Sequence, residues 1–202
     1  MKRLIVFALL FPAFFCVSQA AASDSQDGMV TEAPFAYAYY AGAGGYELWY
    51  DAGKMEPAPS EYACDAFLPL DAEANPGVSF AVYEIGYASA IALPGAADGE
   101  PDVLQVPELA EVYSAGEAFP AVIYAFEEAG YTLVEEEDNL SSGDFGTAYA
   151  LYLKDGMLVS LRIAEFAAGT FLTAVTYPQE TEDSWGAWLA EMADSFAAAP
   201  GL

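Results

Sequence analysis

From Thr147 to Tyr177 the chain reads TAYALYLKDGMLVSLRIAEFAAGTFLTAVTY, three runs of alternating apolar residues separated by two turn signals. Tyr149, Leu151 and Leu153 share one face of the first run, because successive strand residues point to opposite sides. Asp155-Gly156 between two alternating runs is a strong hairpin signal. Met157, Val159, Leu161 and Ile163 then continue an apolar face, with Ser160 and Arg162 on the other side. Ala168-Gly169 makes a second turn, and Thr170 to Tyr177 is rich in the β-branched and aromatic residues that suit a pleated surface. This pattern predicts an antiparallel meander with one face buried under helices.

Two helices are predicted to cover it. Phe119, Val122, Ile123 and Phe126 recur at helical spacing within 117–129, and Gly130 stops that helix in the usual left-handed cap position. Near the end of the chain, Asp183 or Ser184 caps a second helix, where Trp185, Trp188, Leu189, Met192 and Phe196 form one wide apolar stripe. Other strands are read at 35–40 and 46–51 around a glycine turn, at 78–85, and at 131–135 before a polar loop over 136–146. Residues 87–93 fit a strand or a short helix equally well. Pro57, Pro59, Pro69 and Pro76 suggest an irregular crossing segment, and Pro107 opens a short helical turn. The fold class is therefore α+β: a single domain over 35–198, with an antiparallel sheet of five to seven strands and two main helices packed on one face.

Residues 1–22 have the form of a secretory leader. Lys2 and Arg3 start it, Leu4 to Val17 form a short apolar core, and small residues offer cleavage after Ala20 or Ala22. The run is too short to favour a membrane span, so no membrane insertion is expected after cleavage. Phe15 before Cys16 argues against lipidation, since a lipobox needs a small residue there. A periplasmic or secreted protein is implied, with residues 23–34 a flexible polar arm. Cys64 is then the sole cysteine, which excludes an internal disulfide and leaves apolar burial to hold the domain together.

The formal charge is −26 for the whole chain, with 31 acidic residues. Beyond the leader only Lys54, Lys154 and Arg162 oppose them. Nucleic-acid binding needs a basic footprint and is excluded as a reading, as is adsorption to anionic lipid. A cationic protein is the partner class this charge favours; otherwise the acidic residues are solvated surface that keeps the protein soluble.

The chain contains no histidine, which removes histidine-based metal sites and catalytic triads. No nucleophile elbow, Walker loop or dinucleotide fingerprint is present. Six tyrosines and tryptophans between Tyr37 and Tyr50 would serve either as a stacking platform or, more simply, as a sheet layer with hydroxyls at its wet edge. No cofactor is expected. Two acidic groups are weak calcium candidates: Asp98, Glu100 and Asp102, and the set Glu135, Glu136, Glu137, Asp138 and Asp144. Neither has the spacing of a helix–loop–helix calcium motif. Asn139-Leu140-Ser141 matches a glycosylation sequon, a triplet common by chance.

An early strand pair, a strand at 78–85, a helix, a meander ending in Ala-Val-Thr-Tyr177, and a terminal helix closing on Met-Ala-Asp-Ser-Phe196 together resemble the PsbP/DcrB-type α+β fold. That resemblance implies an exported, small, non-enzymatic accessory or assembly factor, and it carries no family binding residue to a position here. Residues 126–162, running helix, Gly-Tyr, strand and Asp-Gly hairpin, also resemble a PepSY-like inhibitory or regulatory unit. The expected function is a non-catalytic accessory or binding protein of the bacterial envelope. The competing reading from another class is a carboxylate-based hydrolase of an envelope polysaccharide, which needs two carboxylates facing each other across a cleft.

Overall fold

The computed structural model describes residues 36–94, 101–140 and 146–199, all within one compact unit spanning Pro34–Leu202. The leader, the arm, Asp98, Glu100 and Asp144 lie outside the described residues. In chain order the strands and helices are β1 (Tyr37–Ala41), β2 (Tyr46–Asp51), β3 (Met55–Ala58), β4 (Cys64–Pro69), β5 (Ser79–Glu84), β6 (Ala90–Leu93), β7 (Asp102–Gln105), α1 (Ala115–Glu128), β8 (Thr132–Asp138), β9 (Thr147–Lys154), β10 (Met157–Phe166), β11 (Gly169–Pro178), α2 (Ala187–Asp194) and β12 (Ala197–Ala198). A 3₁₀ turn at Pro107–Ala110 follows β7, as the proline predicted.

The meander is β9, β10 and β11, and its first turn shows why the sequence reads as a hairpin. Asp155 has φ +50° and Gly156 φ +78°, the paired left-handed residues of a tight turn whose twist matches the flanking strands. These strands sit inside a seven-stranded antiparallel sheet of order β3-β4-β5-β11-β10-β9-β8. Two small sheets complete the fold, β1-β2-β12 and β6-β7.

Cross-strand register assigns the two faces. On one, Tyr152 lies opposite Val159, Ala150 opposite Leu161 and Ala148 opposite Ile163. These residues pack with Phe119, Val122 and Phe126 of α1 and with Ile91 and Leu104 of the β6-β7 ribbon. Leu161, Ile163 and Phe126 are all fully buried, as predicted for the pair beneath this helix. The other face carries Leu158, Val175, Tyr177 and Phe80, which pack with Trp188, Leu189 and Met192 of α2 and with Tyr46 and Leu48 of β2.

The α+β class, the single antiparallel domain and its strand count stand, but the two helices do not share a face. Each covers its own side of the sheet, together with one small sheet. The physical reason is visible in β11, where Phe171 to Tyr177 are buried without interruption. A strand buried on both sides needs cover on both sides.

Three further differences follow from local chemistry. Residues 55–69 are not an irregular crossing but the hairpin β3–β4, with Pro57 on the sheet's edge, where a missing N–H disrupts no ladder on the open side. The open choice over 87–93 resolves to β6, paired with β7. The second helix starts at Ala187 after a π-type turn at Glu182–Gly186, and neither Asp183 nor Ser184 caps it. Ser184 Oγ instead donates to the Thr181 carbonyl at 3.0 Å. At α1, Gly130 takes φ +82° and ends the helix where the sequence placed the stop.

Candidate functional site

A concavity of about 610 Å³ forms a groove between α2 and the sheet face that α2 only partly covers. Register builds its floor in two rows. Glu137, Tyr149, Arg162 and Thr173 lie side by side across β8, β9, β10 and β11, and Glu135, Leu151, Ser160 and Val175 form the neighbouring row. The helical wall is made of small residues, Gly186, Ala190 and Ala193. Because α2 aims its large side chains at the core beside β11 and β2, this flank leaves space.

Arg162 fixes the geometry. Its Nη1 lies 2.8 Å from Asp194 Oδ1 and donates to the Ala193 carbonyl at 3.2 Å. A cation at the C-terminal turn of a helix satisfies a carbonyl that has no helical partner and complements the helix dipole. The pair is partly exposed, so its stabilising effect is small; its consequence is to hold floor to wall. Burial pushes the Tyr149 hydroxyl above the usual phenol range, opposed by the Ser160 hydroxyl, while Glu135 adds to the rise and Arg162 counters it. Burial also raises Tyr177, with Glu182 adding to it.

The polar side chains of this groove are placed as follows. Ser160 shares a hydrogen bond with the Tyr149 hydroxyl, and its neighbour Arg162 keeps its proton and cannot serve as a base. Glu135 and Glu137 stand on one strand two residues apart, so they line the same wall rather than facing each other across the groove. Asp194, the carboxylate at the helical side, is engaged by Arg162.

The acidic calcium candidates fall as follows. Glu135, Glu136, Glu137 and Asp138 belong to β8, which extends to Asp138 rather than ending before a loop at 136. Successive residues of a strand point to opposite faces, so these four carboxylates divide between two sides. Asp102 of the other group accepts a hydrogen bond from Lys154 Nζ at 2.7 Å and one from Tyr131 Oη at 3.0 Å. Lys154 holds its carboxyl below the ordinary range, burial works against that, and Tyr131 adds to the lowering. Among the described residues no three carboxylate or thiol ligands converge. The sites at Asp98, Glu100 and Asp144 fall outside the described residues.

Cys64 is half-buried on β4, where burial raises its thiol and Ser60 and Tyr83 partly offset the rise. The aromatic N-terminal hairpin is a sheet layer with two different sides. Tyr46 is buried against Phe171 and Phe196 and donates its hydroxyl to Asp65, whereas Tyr37, Tyr39 and Trp49 remain exposed. Neither motif nor periodicity assigned a functional role to Arg162, Ser160 or Tyr177. The available signal was the polar pair Ser160 and Arg162 alternating with buried residues in β10.

No family model matches the chain, and no curated protein matches it. Among solved structures, it is similar to the solution structure of cyanobacterial PsbP (CyanoP) from Synechocystis sp. PCC 6803, with a TM-score of 0.50. The match covers 87% of this chain and 98% of that chain at 15% sequence identity. The architecture is therefore PsbP-like, as the element order and the closing helix implied. Among the described residues no helix is long and apolar enough to cross a membrane.

Proposed function

We propose that this is an exported, non-catalytic accessory protein of the bacterial envelope that works by binding a cationic protein partner. The observation that carries the reading is the groove under α2. Its arginine is already tied to the helix end, and its open side is lined by Glu135 and Glu137. Such a site offers shape and negative charge without a reacting pair. The leader-like residues 1–22, the missing histidine and the PsbP-like fold point the same way. No cofactor is needed for this role.

The test is affinity capture from envelope extract with the wild-type chain, with Ser160→Tyr to fill the groove, with Glu137→Lys to reverse its rim, and with Tyr124→Ala on exposed α1 as a control. Melting curves establish that each variant folds. One partner held by the wild type and by Tyr124→Ala, and lost from both groove variants, is the expected result. Release of reducing sugar from envelope polysaccharide, abolished by Glu135→Gln or Glu137→Gln, would replace binding with hydrolysis.

A further inference from the structure

β8 closes one side of the main sheet, and among the described residues nothing pairs with its outer edge. All seven of its residues are exposed. The Asn139 N–H donates to the Thr147 carbonyl at 3.0 Å. Hydrogen-bonded pairs alternate along an antiparallel ladder, so Glu137 and Glu135 turn their backbone groups toward β9. Glu136 and Asp138 turn theirs outward.

An open edge of this kind invites another strand, and proteins guard such edges with charge and bulges. β8 has both: a register shift between Leu133 and Glu135, then four carboxylates in succession. A second copy of this chain pairing here would set like charges directly opposite one another, which is unfavourable. The same carboxylates repel any acidic strand that approaches this edge.

We propose that the free edge of β8 docks an extended basic segment of a partner protein. The segment adds as a further strand through the outward backbone groups of Glu136 and Asp138. Its cationic side chains meet Glu135 and Glu137 on the groove side, and Glu136 and Asp138 on the other. This rests on the reading of the chain as a partner-binding protein and names the edge and the class of segment it takes. Main-chain pairing supplies affinity and alternate side chains supply specificity in such additions.

The probe is a fluorescent seven-residue peptide alternating lysine and valine, compared with a peptide of the same composition whose lysines are grouped. Anisotropy at about 0.15 M salt limits long-range attraction between exposed charges. The alternating peptide should bind about tenfold more tightly than the grouped one, a difference of about 1.4 kcal/mol. Glu136→Pro removes an outward N–H and leaves the ladder to β9 intact, so it should weaken the alternating peptide about tenfold while the melting curve changes little. If that variant fails to fold, the Glu135→Gln/Glu137→Gln double variant takes its place, with the same expected loss. Equal binding of the two peptides, dimerisation through β8, or calcium competing with the peptide at matched ionic strength would each overturn the proposal. So would capture of a groove-dependent envelope partner at wild-type level by folded Glu136→Pro, a result that leaves the accessory reading standing.

Discussion

Replacing Leu161 with alanine is expected to destabilise the protein by about 2–5 kcal/mol, the range for emptying a packed leucine site. Leu161 is fully buried at the centre of the sheet, opposite Ala150 on one neighbouring strand and Ala174 on the other. Both neighbours are alanines, so the leucine side chain itself fills the space beneath α1, and small flanking groups cannot move far enough to refill it. Urea titration measures the loss through the midpoint, with the slope showing whether the unfolded reference has changed. A change below about 0.5 kcal/mol is what an uncrowded surface position would give, and would mean that the face has been assigned backwards.

Trp188→Ala is expected to cost about 3–5 kcal/mol on the opposite face. Its ring is 8% exposed, meets Trp185 edge-on at 5.6 Å between centroids, and lies beneath Lys54 Nζ, 5.4 Å away. Truncation removes the largest apolar contact of α2, weakens the anchoring of Trp185, and loosens the wall of the groove. Trp188 and Leu161 belong to separate cores with the sheet between them, so the double variant should show the sum of the single effects within about 0.5 kcal/mol. Coupling of about 1 kcal/mol or more would contradict a sheet with one helix on each face.

Much of this architecture was legible in particular residues. Asp155-Gly156 fixed the turn between β9 and β10, and the spacing from Phe119 to Phe126 fixed the buried side of α1. The second covered face was also written in the sequence, though less openly. Leu158, Val175 and Tyr177 are apolar on the side that alternation assigns to solvent, and residues 170–177 hold too few polar side chains for a half-exposed strand. Strand β3 was hidden because proline usually marks a break, and only the finished sheet places Pro57 at an edge. β8 was partly hidden because Glu135 to Asp138 bury no apolar face, which leaves periodicity nothing to detect. The groove was hidden for a topological reason: Arg162 and Ser160 stand out as polar residues in β10, but the helix that roofs them depends on the route taken after Pro178.

The proposed role is to hold a partner against the α2-side groove and the strand beside it. The most direct measurement is site-specific photo-crosslinking in intact envelopes, with the reactive side chain placed in turn at Ser160, Glu137 and Tyr124. One and the same adduct is expected from Ser160 on the groove floor and Glu137 on its rim, and none from Tyr124 on the exposed side of α1. Labelling of equal strength from all three positions, or an adduct from Tyr124 alone, would contradict it.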